Sequence, residues 1–375
     1  MEQPKKRQYF ENINGLRFLG AMGVLLFHCA TLPGAIWGEF SEGFWYEKSY
    51  FLLGRGHLGI ILFFVISGFL ITSILLWEFE ANGKIKTGKF FLRRLLRVWP
   101  LYFLILGFGF FIFPHLPYGI QTVHELWRYL LFLPNIDEII MGPHDPINFL
   151  STLWSLGVEE QFYIVWGLLM SILTFGGRFN KKVFTLICIA IIIGSFVFRA
   201  MHLGDHRMLH YHTFSVMSDL AIGCLMAIWT STGRAKAFFE NLPKWQIGIF
   251  YVAAIILLVY EGHIFRDSLF VFGRILPAVI IGIIILEQVF SKNSIVKLDK
   301  IPLFSFSGEI TYSIYIVHSI YIYYWAIYFK NHGFTTEWTH YWMFFVVVFV
   351  SSYLTSIVTY YAIERPFFQL RKYFR

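Results

Sequence analysis

The chain has 375 residues and a net charge of +8, and 57% of it is hydrophobic, 20% aromatic and only 14% charged. That balance excludes an ordinary soluble globule and marks a polytopic membrane protein. The basic excess gathers in alternate loops between apolar stretches, where it reads as a topology signal, so no nucleic-acid partner is expected.

In chain order, ten apolar stretches are long enough to cross a bilayer as helices: residues 16–31, 58–77, 98–113, 152–175, 183–203, 213–230, 245–261, 269–290, 304–329 and 341–363. The intervening segment 127–134 is too short to span and reads as amphipathic or re-entrant. The expected fold is all-α, a single membrane domain over 1–375 of about ten transmembrane helices around a central polar cavity or tunnel, with no fused soluble domain. Lys5, Lys6 and Arg7 precede the first stretch as in a secretory signal, but nine further stretches follow and His28 interrupts the apolar run, so the segment is expected to stay.

Lys and Arg collect before the first stretch and in every second loop, notably at Arg93, Arg94, Arg97, Lys181, Lys182, Arg234 and Arg371, which places both termini in the cytoplasm. The opposite loops hold few basic residues, among them Lys48 and Arg128, but many histidines and aromatics. Such faces suit sugar contacts; an interfacial aromatic belt accounts for most of them. His206, His210 and His212 lack an acidic or thiolate partner at ligand spacing, and no metal is expected. Cys29, Cys188 and Cys224 all lie in apolar stretches and read as reduced packing residues.

Three constellations carry chemistry. The first is ENINGLRFLGAMGVLLFHCA, where Arg17 and His28 are eleven residues apart. They share a helix face about 16 Å apart along the axis, the arginine at the water edge and the imidazole deep inside. A titratable ring there faces a polar cavity and works, or is a hydrogen-bonded core histidine; spacing alone leaves both open. The second is GKFFLRRLLRVWPLYF, in which Arg94 and Arg97 project from one face with Arg93 beside them. Paired guanidiniums suit phosphate, although any juxtamembrane loop gathers arginine. The third is STLWSLGVEEQFYIVWG, where Trp154, Ser155, Glu159 and Glu160 open a span. Adjacent carboxylates point about 100° apart, so at least one faces a polar interior unless both mark an interfacial helix start. Asp219 is expected to pair with Arg199 or Arg274 as helix-to-helix glue. His318 and Glu364 are further polar residues in or at the end of spans.

These residues, in this order, resemble the acyltransferase 3 family of integral membrane acyltransferases. The matching stretches run from GLRFLGAMGVLLFH through GHLGIILFFVISGFLITSIL, FFLRRLLRVWPLYF, STLWSLGVEEQFYIVWG, SVMSDLAIGCLMA and FSGEITYSIYIVH to AIERPF. The resemblance implies transfer of an acyl group, usually acetyl, from cytoplasmic acyl-coenzyme A to a hydroxyl of an extracytoplasmic carbohydrate such as O-antigen, capsule or exopolysaccharide. Its Arg-x10-His motif falls on Arg17 and His28, its Arg-x-x-Arg motif on Arg94 and Arg97, and its Ser-Gly-Phe stretch on Ser67, Gly68 and Phe69.

The roles that follow are His28 as general base or transient acyl carrier, with Glu159 or Glu160 orienting sugar or imidazole. Arg17, Arg93, Arg94 and Arg97 form the acyl-CoA clamp. Ser67, Trp154, Ser155, His318 and Glu364 serve as acceptor-side or structural polar groups. Ala21 and Val24 are small enough to leave the pantetheine arm a passage along the first helix. Acetyl-CoA is a donor substrate, no cofactor is permanently bound, and the other partners are a lipid-linked or surface glycan and membrane lipids. The expected location is the inner (plasma) membrane, with the site open to both faces. A secondary transporter for a sugar or acyl compound is the alternative, although no inverted hydropathy repeat or pair of broken helices stands out. A membrane scaffold would leave the Arg17 to His28 spacing without purpose.

Overall fold

Apolar stretches in lipid must satisfy their own backbone, and the chain does so with helices. The computed structural model describes residues 10–31, 37, 53–120, 123–142, 148–334 and 337–374. Lys5, Lys6, Arg7 and Lys48 lie outside the described residues. In order the helices are α1 (Ile13–Thr31), α2 (His57–Asn82), α3 (Thr87–Gly107), α4 (Leu126–Leu130), α5 (Pro134–Met141), α6 (Trp154–Leu173), α7 (Lys181–Met201) and α8 (His206–Tyr211). They continue with α9 (Thr213–Thr230), α10 (Gly233–Glu240), α11 (Lys244–Ile264), α12 (Ile275–Phe290), α13 (Pro302–Glu309), α14 (Thr311–Asn331), α15 (Trp338–Thr359) and α16 (Arg365–Leu370). A tight 3-10 turn, Phe149–Leu153, leads into α6.

Among the described residues nine helices are long and apolar enough to cross a membrane. The expected stretch 304–329 is not among them. It is broken at Ile310 into α13 and α14, and α14, although 21 residues long, carries so many tyrosines, serines and other polar groups that its mean hydropathy falls below its neighbours'. Segment 127–134 becomes the junction of two short helices. Phe132 adopts φ 55° and Pro134 starts α5, so no single helix can run through.

The chain divides into two compact units. The first comprises Met1–Arg17, Ile61–Leu92 and Val158–Gly308. The second comprises Phe18–Ile60, Arg93–Gly157 and Glu309–Arg375.

In the first unit α9 is the central element, buried along most of its length and packed on α7 and α12. It also meets α2 backbone to backbone. A Cβ on Gly68 would lie 2.0 Å from the Leu220 carbonyl oxygen, and one on Gly223 would lie 2.1 Å from that of Val65. Small residues permit this approach between membrane helices. Across the same unit Asp219 accepts from Arg274 Nε at 3.0 Å and pairs with its Nη2. Arg199 instead spends its donors on the carbonyls of Val271, Leu209 and Phe270 and on Ser215 Oγ. The start of α1 is capped from afar. Asp299 accepts from the backbone N–H groups of Asn12 at 2.8 Å and Gly15 at 2.7 Å, satisfying donors that a helix start leaves open.

In the second unit α14 packs along α15. Ser313 Oγ donates to Glu364, Thr359 Oγ1 donates to Ser313 at 2.8 Å, and Tyr312 donates to the Val98 carbonyl at 2.7 Å. The Phe149–Leu153 turn lies against α14 on one side and α5 on the other.

Removing Asp219 strands a buried guanidinium. Asp219→Ala is expected to cost about 3–5 kcal/mol, whereas the Asp219→Leu/Arg274→Met double variant recovers most of that loss. Thermal unfolding of the detergent-solubilised protein measures both.

Candidate active site

Two imidazoles meet in the second unit. His28 Nδ1 lies 2.8 Å from His318 Nε2, with the ring centres 5.1 Å apart and only 5° between the ring planes, so the rings meet edge to edge. His28 occupies the last turn of α1 rather than its middle, and it is half-buried. His318 is 1% exposed, in the interior of α14.

The hydrogen-bond partners fix the protons. His318 Nδ1 lies 3.1 Å from the Ile314 carbonyl, an acceptor only, so in neutral His318 Nδ1 carries the proton and Nε2 presents a lone pair. His28 must then donate from Nδ1, which leaves its Nε2 as the basic nitrogen. A ring so held has its tautomer and plane determined, the service a carboxylate gives the histidine of a hydrolase triad.

Hydroxyls surround the pair. Tyr315, one turn before His318 with its ring 5.9 Å away, donates to the Thr152 carbonyl at 3.1 Å. Its oxygen lies 2.6 Å from Ser155 Oγ, so Ser155 is the donor in that bond. Ser319 Oγ donates to the Phe149 carbonyl at 3.1 Å. Trp154 is buried at the head of α6, and Glu364 is buried under Ser313.

The first unit holds a different group. Both oxygens of the Glu159 carboxylate are occupied: Ser67 Oγ donates at 2.8 Å and the Tyr163 hydroxyl at 2.9 Å. Glu160 is buried beside it in sequence. The Ser-Gly-Phe stretch therefore has three physical jobs: a donor to Glu159, a backbone-to-backbone crossing at Gly68, and a buried ring at Phe69 that meets Phe10 edge-on at 5.1 Å.

Arg17 belongs to the first unit; Arg93, Arg94 and Arg97 belong to the second. All four are half-buried. Arg94 and Arg97 stand at i and i+3 on α3, and Arg93 donates to the Phe374 carbonyl at 3.0 Å. Ala21 and Val24 are buried on α1, two turns and one turn before His28 respectively.

The sequence pattern singled out His28, His318 and Ser155 but not the tyrosine between them. Tyr315 carries a signal only in hindsight: it precedes His318 by three residues, so a helical α14 puts both on one face. Tyr163, at i+4 from Glu159 on α6, is missed for the same reason.

An imidazole oriented by a second imidazole presents one nitrogen that can take up and return a proton. The family can be named: the chain belongs to the acyltransferase family whose domain model matches residues 10–361. It is 27% identical over 326 residues to a protein of Staphylococcus aureus strain COL named as an O-acetyltransferase, covering 84% of this chain and 51% of the relative. It is also similar to O-acetyltransferase OatA of S. aureus strain NCTC 8325, with 26% identity over 253 residues, 64% of this chain and 38% of that protein. The chain thus spans about half the length, or less, of these relatives. No solved structure matches it.

Ser67→Ala leaves one oxygen of the Glu159 carboxylate without its donor. An expected loss of about 1–3 kcal/mol in unfolding free energy, absent in the Ser67→Ala/Glu159→Gln double variant, checks the contact by a mutant cycle.

Proposed function

We propose that this protein is a membrane O-acetyltransferase that moves an acetyl group from cytoplasmic acetyl-CoA to a hydroxyl of an extracytoplasmic carbohydrate. The observation that carries the reading is the His28 to His318 contact with its proton order set by the Ile314 carbonyl.

The basic residues favour both termini in the cytoplasm, in the inner (plasma) membrane. Arg17 then starts α1 on the cytoplasmic side, and Arg94 and Arg97 on α3 face the same compartment. Their forked donors suit the phosphates of coenzyme A, with Arg93 as a further contributor. The pantetheine arm would run beside Ala21 and Val24 toward His28, while the glycan, lipid-linked or at the cell surface, approaches from outside. Within the second unit Trp154, Ser155 and Glu364 would support the walls of the acceptor side.

At reaction, His28 Nε2 takes the proton of the acceptor hydroxyl as that oxygen attacks the thioester carbonyl carbon. The C–O bond forms, the C–S bond breaks, and the departing thiolate takes the proton back from the imidazolium. His318 accepts from His28 Nδ1 throughout and spreads the developing positive charge. An ordinary imidazole, with a pKa of about 6.5, suits such a shuttle near neutral pH.

His28→Ala is expected to lower acyl transfer by at least about 100-fold with protein abundance unchanged. Mass spectra of surface glycans from cells carrying either form measure this, and normal acetylation in the variant rejects the reading. Arg94→Ala is expected to raise the KM for acetyl-CoA about ten- to a hundredfold while leaving kcat near normal, because a charge-assisted phosphate contact is lost from ground and transition state alike.

A further inference from the structure

A second polar cluster in the second unit plays no part in the mechanism above. It is built by α4, α5 and the residues before them, outside the nine apolar helices. Asp137, fully buried, accepts from Arg128 Nη1 at 2.6 Å and pairs with His124 Nδ1. Its neighbour Glu138 is 4% exposed, and Glu138 Oε1 has no hydrogen-bond partner among the described residues. The Tyr129 carbonyl is held by the Tyr102 hydroxyl at 2.8 Å.

A buried carboxylate oxygen without a donor costs far more ionised than neutral. The basic side chains of this cluster, Arg128 and His124, are already engaged with Asp137. Glu138 faces the Phe149–Leu153 turn, where the Ser151 hydroxyl supports it. The other side of that turn is held to α14 by Tyr315 and Ser319, both within one helical turn of His318.

We propose that Glu138 is a positioning residue for the imidazole pair: as a neutral acid it lets α5 pack on the 149–153 turn, and the turn in its other direction fixes Tyr315 and Ser319 beside His318. The inference rests on the reading of His28 and His318 as the acid–base pair.

The charges around Glu138 set its sign. Burial pushes its carboxyl up to about 7, against the favourable pull of His124 and the Ser151 hydrogen bond and with the added repulsion of Asp137. Burial also raises the Asp137 carboxyl, but the hydrogen bonds from His124 and Arg128 outweigh it and hold this group below the usual range, so Asp137 stays charged. Tyr129, pushed well up by burial and by both carboxylates, stays neutral. Tyr102 contributes a hydroxyl from α3, and the turn contributes the hydroxyls of Ser151 and Thr152. With its value raised, Glu138 keeps the packed, neutral form at low pH and loses it as pH rises through about 7.

The test compares pH profiles of acyl transfer for wild type and Glu138→Gln, using radiolabelled acetyl-CoA and membranes that carry the native glycan. The amide keeps the shape and cannot ionise, so the variant-to-wild-type ratio of kcat should rise about tenfold between about pH 6 and about pH 8, as one group near neutrality deprotonates. A ratio that stays flat overturns the proposal. Infrared difference spectra give a readout independent of turnover. A carboxylic-acid carbonyl band that bleaches near neutral pH is expected in wild type and equally in inactive His28→Ala, and its absence from both overturns the proposal even if Glu138→Gln does not fold. Retained transfer by His28→Ala would sink the reading of the imidazole pair, and this inference with it; a flat ratio with full dependence on His28 sinks the inference alone.

Discussion

One backbone carbonyl sets the order of donor and acceptor in the imidazole pair. Ile314 accepts from His318 Nδ1, and that contact decides which nitrogen of His318 is a lone pair, hence which nitrogen of His28 must be the donor, hence which is left basic. A carboxylate behind the base would hold it more strongly, at the cost of burying an ionised group among apolar helices. A neutral imidazole gives direction at a smaller desolvation cost, and the helix supplies its acceptor from its own preceding turn.

Where full charges are buried, they are paired or wrapped. Asp219 and Arg274 neutralise one another inside the first unit, and Arg199 is wrapped by carbonyls and a serine. Glu159 is held by two hydroxyls. These groups specify how helices sit within a unit, because an apolar surface alone would let neighbours slide or rotate at little cost. The contact of Gly68 with Leu220 and of Gly223 with Val65 has the same effect by shape.

Much of this was legible in the residues. Apolar length located most of the long helices to within a few positions, with α9 over the expected 213–230, whereas α3 starts at Thr87 rather than at 98 because its arginine-rich first turns are not apolar. The Asp219 partner could be narrowed to two arginines because membrane burial forbids an unpaired carboxylate. What could not be read was cross-chain pairing. His28 and His318 are 290 positions apart, and no local pattern tells one imidazole which other group it will touch. The break at Ile310 was hidden because tyrosine and serine in α14 blur the boundary between a span and its flank. The α4–α5 cluster was passed over because its segment is too short to score as a helix by periodicity, and Asp137 and Glu138 look solvated in sequence.

The far-off cap on α1 bears on biosynthesis. Asn12 and Gly15 open the helix that carries His28, yet their carboxylate partner is Asp299, and the ring that completes His28 comes later still. The ribosome must therefore deliver some three hundred residues before the first helix gains either neighbour, and insertion of that helix into lipid precedes its final seating. A chain cut off by premature termination ahead of Asp299 would carry His28 without the His318 ring that meets it.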